Sequence, residues 1–225
     1  MEQKKKAGIK STDYIKDGMI LGLGTGSTAY YMIEKVGQMV ANGLNIKAVA
    51  TSVSTTKLAN ELNIPLVSID DVKEIDLVID GVDEIDPDFN AIKGGGGAHF
   101  REKMVAKAAK EVIWIMDASK QVDAIGEFPL PVEILPYGHK HTLKRLEEFN
   151  LKPTLRKIDG EVYITDNHNY IADLHIGSPM NIEEVEEKLR TISGVIETGL
   201  FLNMCNRIIV GRDDDILVLE NENKQ

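Results

Sequence analysis

Residues 19–40 read MILGLGTGSTAYYMIEKVGQMV, a short apolar run, a glycine-rich turn and then apolar positions spaced three and four apart. That order predicts a buried strand over 19–24, a tight turn, and a helix over 27–40 that lays one face on a sheet. The rhythm repeats down the first half of the chain. Apolar runs at 47–51, 65–69, 77–80 and 112–117 read as further strands, and 54–62 and 100–110 as helices. The strands are apolar without alternation, as expected where both faces are covered, so the fold class read here is α/β with a doubly wound, mostly parallel Rossmann-like sheet.

The rhythm changes after residues 128–136, which hold three prolines. Beyond them, a strand at 132–135, a helix at 142–149, strands at 154–158 and 162–174, a helix at 182–192 and a strand at 195–200 spell β-α-β-β-α-β, the order of a ferredoxin-like α+β unit. Runs at 207–211 and 216–220, separated by Asp213, Asp214 and Asp215, read as a final hairpin. The expected division is a catalytic domain of residues 1–128 with 203–225, and a smaller ferredoxin-like domain over 129–202. The polar tail after Glu220 is expected to fray.

Composition narrows the function. A chain of 225 residues that is 43% hydrophobic can bury a core, and its longest apolar runs are far too short to cross a bilayer. The lysine-rich start lacks the apolar stretch of a signal peptide, and Cys205 is the only cysteine, so a cytoplasmic location is expected and CxxC redox chemistry is excluded. Thirty-six acidic against 26 basic residues give a net charge of −10, which repels nucleic acid. A single phosphate needs only local donors.

Four segments carry candidate chemistry. In Gly22-Leu-Gly-Thr-Gly-Ser-Thr28, the amides at a strand-to-helix turn and the hydroxyls of Thr25, Ser27 and Thr28 suit a phosphate at a helix N-terminus. The plainer reading is a turn with Ser27 as N-cap. A dinucleotide fingerprint fits less well, since the third glycine comes one residue early, and the Gly-Lys-Ser/Thr of a P-loop is missing. Next, Asp80-Gly-Val-Asp-Glu-Ile-Asp86 follows a buried strand, where open parallel sheets bind ligands, although a solvated acidic turn has the same composition. Third, Lys93 precedes Gly94, Gly95, Gly96 and Gly97. Four glycines are costly to order, so close backbone approach explains them better than a linker, and Lys93 could face a developing oxyanion. Glu102 follows in the first turn of a helix, where acids also complement the helix dipole. Last, Asp117-Ala-Ser-Lys120 ends another strand, and Lys120 is a second candidate cation or an ordinary exposed lysine. All four fall at one edge of one sheet. The five histidines show no metal-ligand spacing and read as surface or second-domain residues.

Taken together, GLGTGSTA, VIDGVDEID, IKGGGGA with REK behind it, DASKQVD and FPLPVEILP resemble type A ribose-5-phosphate isomerase, in order and spacing, from about residue 10 to 212. The resemblance implies substrate contacts at Thr25, Gly26, Ser27, Thr28, Asp80, Gly81, Val82, Asp83, Lys93, Gly94, Gly95, Gly96 and Lys120. It implies Glu102 as catalytic base, with Asp80, Asp83 and Lys93 assisting. It further implies interconversion of ribose 5-phosphate and ribulose 5-phosphate in the pentose phosphate pathway without cofactor or metal, by a homodimer or homotetramer. Two other readings stand beside it. A related sugar-phosphate deaminase or lactonase calls for a histidine near the base, for which only His99 is close in sequence. A non-catalytic sugar-phosphate sensor calls for a DNA-binding module, and no basic helix-turn-helix precedes Met19.

Overall fold

A computed structural model describes residues 1–224. The chain begins α1 (Glu2–Ser11), β1 (Ile20–Leu23), α2 (Ser27–Ala41), β2 (Lys47–Ala50), α3 (Val53–Glu61) and β3 (Ile75–Gly81). Two short strands, β4 (Glu84–Ile85) and β5 (Ala91–Ile92), precede α4 (His99–Lys107) and β6 (Ala109–Asp117). There follow β7 (Leu130–Ile134), α5 (His139–Glu148), β8 (Pro153–Leu155), β9 (Lys157–Ile158), β10 (Glu161–Val162) and β11 (Tyr170–Leu174). The chain closes with α6 (Ile182–Arg190), β12 (Val195–Thr198), β13 (Leu200–Phe201), β14 (Arg207–Gly211) and β15 (Ile216–Glu220).

These elements form two units, and the chain passes between them at Val82/Asp83, Phe100/Arg101, Lys120/Gln121 and Leu202/Asn203. The first unit is built on a six-stranded sheet in the order β15-β14-β6-β3-β1-β2. Every neighbouring pair is parallel except the edge hairpin β14–β15. Because β1 is followed by β2 on one side while β3 and β6 lie on the other, the winding reverses between β1 and β3. The crevice outside the carboxyl ends at such a reversal is where open α/β sheets take ligands. Leu21, Leu23, Leu77, Ile79, Ile113 and Ile115 are buried from the strands. Helix α2 presents Ala29, Met32, Ile33 and Val36 to them at the spacing of one helical face.

Two expectations fail here. Residues 65–69 form no strand, only a single bridge between Leu66 and Ala48. Pro65 has no N–H to donate, and Ser68 instead accepts from the Asp70 N–H to start a single helical turn, Ile69–Asp71. Helix α4 stops at Lys107 rather than 110, because Ala109 pairs with Ile75 as β6 begins.

The second unit carries an antiparallel sheet in the order β12-β7-β11-β8, with α5 and α6 supplying its apolar layer through Leu146, Val185 and Leu189. That is the ferredoxin-like order expected. The strand expected over 162–174 is broken, however. Thr165 N–H donates to Asn169 O across a turn whose His168 adopts a positive φ of 63°. The turn is tied to the sheet by the fully buried Glu133 of β7, whose Oε1 accepts from Thr165 Oγ1 at 3.0 Å and from Asn169 Nδ2 at 2.8 Å. The tail is also more ordered than expected. Asn221 is buried, and its side-chain amide donates to Asn203 Oδ1 and to the Cys205 carbonyl. No helix among the described residues is long and apolar enough to cross a membrane.

Candidate active site

In the first unit, the glycine turn after β1 is held by Asp80. This carboxylate is 1% exposed, and its Oδ1 accepts the N–H of Thr25 at 2.9 Å and of Gly81 at 2.7 Å. Only glycine fits at position 24, since a Cβ there would overlap the Asp80 carboxylate and Cα. Gly26 has a φ of 110° and leads directly into α2, which leaves Ser27 exposed at the helix start and Thr28 buried. The Thr25 hydroxyl turns the other way. It lies 2.7 Å from Thr51 Oγ1 and donates to Ser52 Oγ at 2.8 Å, within a hydroxyl cluster at the end of β2 and the start of α3 that also holds Thr55. An open groove of about 450 Å³ runs beside this loop, lined by Gly26, Ser27, Tyr30, Tyr31, Ser54 and Thr55 among others.

Glu102 lies in the first turn of α4 and is 5% exposed. Its helix ends at Lys107, immediately before β6, so the N-terminal end of α4 lies at the carboxyl edge of the strands. Packing fixes its height. A Cβ on Gly22 of β1 would reach Val105, so α4 approaches β1 closely there. Glu102, one turn earlier on the same face, is carried toward the glycine turn.

Lys120 lies on the helical turn Ala118–Lys120 after β6 and is partly exposed. Burial alone would raise the Asp117 carboxyl, yet the Ser119 hydroxyl and amide, with Lys4 and Lys120, hold it below the usual value. Sequence reading left Lys4 out. Its Nζ donates to Ser27 Oγ at 3.0 Å and lies 3.9 Å from Asp117, joining the glycine turn to the segment after β6. Its signal was hidden in a lysine-rich start that resembled a solvated helix face.

In the second unit, Asp83 receives the Gly95 N–H on Oδ2 at 2.7 Å, while its own N–H donates to Ile92 O. The acidic motif and the glycine run are therefore one local structure. Lys93 is 2% exposed, and its Nζ lies 5.3 Å from the centre of the Phe201 ring, within cation–π range. Gly94 has a φ of 103°, and a Cβ there would strike the His99 ring. His99 is fully buried and belongs to the second unit, so of the two expectations, surface or second-domain, the first does not hold for it. Gly95 and Gly96 are exposed. Arg156 and Tyr163, which sequence reading missed, donate to the carbonyls of this run.

Among the described residues, no group of three or more His, Cys, Asp or Glu side chains is gathered to hold a metal ion. The first unit offers amide and hydroxyl donors at a helix start, which suit a phosphate, and a shielded carboxylate suited to proton transfer; the second offers a buried lysine and exposed glycines, which suit an oxyanion.

The model of the family ribose 5-phosphate isomerase A (phosphoriboisomerase A) matches residues 47–215. Over 213 residues the chain is 52% identical to ribose-5-phosphate isomerase A of Listeria monocytogenes, covering 94% of this chain and 95% of that protein. A solved structure of ribose 5-phosphate isomerase from Plasmodium falciparum matches with 35% identity and a TM-score of 0.92, over 97% of this chain and 98% of that one. A D-ribose-5-phosphate isomerase solved in complex with phospho-erythronic acid is 38% identical with a TM-score of 0.91, over the same two shares.

Proposed function

Because the chain belongs to the ribose 5-phosphate isomerase A family, we propose that it interconverts ribose 5-phosphate and ribulose 5-phosphate through a cis-enediolate. Glu102 takes the proton from C2 and returns it to C1, while the hydroxyl proton passes from O2 to O1. The substrate phosphate occupies the start of α2, where the Gly26, Ser27 and Thr28 amides and the helix dipole favour an anion. Thr25 serves by shaping the turn, its N–H being held by Asp80 and its hydroxyl by the cluster at Thr51 and Ser52. Asp83, the more exposed of the two aspartates, assists opening of the furanose ring, and Asp80 acts by holding the phosphate turn. Lys93 and the Gly94 and Gly96 amides stabilise the enediolate oxygen, Gly95 lines the site with its own amide held by Asp83, and Lys120 contacts a substrate hydroxyl or the phosphate. The reading places the chain in the cytoplasm, in the non-oxidative pentose phosphate pathway. A homodimer or homotetramer is part of it, supported by apolar side chains exposed on the second unit, such as Leu135, Tyr137 and Ile164.

The observation that carries this reading is a shielded carboxylate, Glu102, at the same sheet edge as a turn shaped for an anion. Proton NMR of ribose 5-phosphate in D₂O tests it, using protein treated with EDTA. Ketose signals should appear with loss of the C2 proton signal, and Glu102→Gln should turn over at least about 10²-fold more slowly while still binding substrate. An unchanged aldose spectrum from folded protein, or near-native turnover by Glu102→Gln, would remove the assignment.

A further inference from the structure

Four consecutive glycines have no side chains with which to hold themselves in place, yet a donor for a developing oxyanion must be fixed before the charge appears. In the second unit the run is held from outside. Arg156 Nη1 donates to the carbonyls of Gly94 at 2.9 Å and Gly95 at 3.1 Å. The Tyr163 hydroxyl donates to the Gly96 carbonyl at 3.3 Å. Three successive carbonyls thus bond to side chains of one hairpin, in which the Tyr163 N–H also donates to Arg156 O.

The guanidinium is itself anchored. Its Nε donates to Asp173 Oδ2 at 2.8 Å, and its Nη2 donates to Asp173 Oδ1, a two-point pairing that fixes the plane of the fork. Asp173 lies in the middle of the sheet, on β11, paired with Pro131 of β7 and Thr154 of β8. Neither side chain of this pair is more than one-fifth exposed, so solvent competes weakly for the bonds. The Tyr163 ring lies beneath the guanidinium, with 5.9 Å to its centre, and blocks any side chain at Gly97. Burial raises the Tyr163 phenol above its usual value near 10, Asp166 and Glu133 adding to the rise and Arg156 opposing it, so the hydroxyl stays a donor at neutral pH.

A trans peptide points its carbonyl and its N–H in opposite directions. Holding the Gly94 and Gly95 carbonyls toward Arg156 therefore turns the Gly95 and Gly96 amides away from it. The Gly95 amide is used on Asp83. Gly96 is exposed, and a Cβ there would meet nothing within 4 Å, so its backbone is open to approach.

We propose that Arg156, anchored by Asp173 and backed by Tyr163, is a positioning residue for the reaction: it fixes the peptide between Gly95 and Gly96 so that the Gly96 N–H is a preorganised donor to the substrate oxyanion. The inference rests on the reading of Lys93 to Gly96 as the substrate's oxyanion site. It adds a role for the second unit that does not involve touching substrate.

The test is Arg156→Lys, which keeps a cation but cannot pair two-pointed with Asp173 and reach both carbonyls. Steady-state kinetics with ribose 5-phosphate should show kcat lower by on the order of 10²-fold with KM within about threefold, the signature of a misplaced transition-state donor. Hydrogen exchange, read by mass spectrometry, should quicken at least about tenfold in the peptide spanning residues 94–97 while that of β7 and β11 is unchanged. Unchanged exchange in residues 94–97 overturns the proposal whatever the turnover. Faster exchange with native kcat overturns the positioning role. If Arg156→Lys does not fold, Tyr163→Phe, which removes only one hydroxyl, is read by the same two measurements. Wild-type protein without isomerase activity defeats the functional reading instead, and the exchange result still decides whether Arg156 holds the glycine run.

Discussion

Replacing Gly24 with alanine probes the turn on which the proposed phosphate site depends. The added Cβ would sit 2.5 Å from the Asp80 Cα, against the 3.4–4 Å of ordinary contact, so the backbone must move by about 1 Å. That movement stretches the Thr25 N–H to Asp80 bond from 2.9 Å beyond hydrogen-bonding range. A bond to a charged group contributes about 1.5–3 kcal/mol, and stiffening the unfolded chain returns about 0.4–1 kcal/mol. The net loss is about 0.5–2.6 kcal/mol, or a melting temperature lower by about 1–10 °C for a chain of this size. Donors displaced by 1 Å should also weaken phosphate binding by about 10- to 10²-fold. Gly81→Ala is the internal comparison, since its Cβ would meet only Thr25 O at 3.8 Å and Ile115 O at 3.9 Å. Thermal melts, with inhibition by inorganic phosphate as the readout of the site, separate the two variants. Should Gly24→Ala melt and respond to phosphate as Gly81→Ala does, Asp80 does not hold the turn as argued.

Burial pushes the Cys205 thiol up to about 12, so at pH 8 its thiolate fraction is about 10⁻⁴. Iodoacetamide should label it about 10³-fold more slowly in native than in urea-unfolded protein; equal rates would show that the site opens readily. The folded state keeps this proton where the unfolded chain releases it, so stability falls as pH rises from about 9 toward 12, and the difference between wild type and Cys205→Ala in urea unfolding should narrow across that range. Glu133→Ala leaves Thr165, Asn167 and Asn169 without their shared acceptor, and should cost at least about 3 kcal/mol in urea melts. A loss under about 1 kcal/mol would mean that water replaces the carboxylate.

The parallel sheet was legible because its strands are apolar throughout and end in glycine or acid, as at Leu23-Gly24 and Asp80-Gly81. The final hairpin came through for the same reason, its two runs being divided by three aspartates. Reading failed where local chemistry overrode an apolar run, at Pro65 and at the Thr165 to Asn169 turn, because caps and turn bonds are set by single side chains. Within the site, motif residues were visible and their supports were not. Arg156 is 62 residues from Gly94 in sequence, and Lys4 is 23 from Ser27. Each looks in isolation like a solvated cation, and only the folded chain shows which carbonyl or hydroxyl it serves.

The four passages between units also set the order in which a nascent chain can complete its structure. The second unit has all its strands once β13 is made, since β13 pairs with β5 and β5 with β4. The first unit must wait longer, because β14 pairs with β6 and itself supports β15. Helix α1 finds partners about 200 residues away in sequence. Gln3 Nε2 donates to Asp213 Oδ1 at 2.7 Å, and Lys6 Nζ to Asp213 O at 2.5 Å. Until β14 is in place, the sheet of the first unit has an open edge at β6. That edge is the surface a chaperone, or another unfinished copy, would meet first.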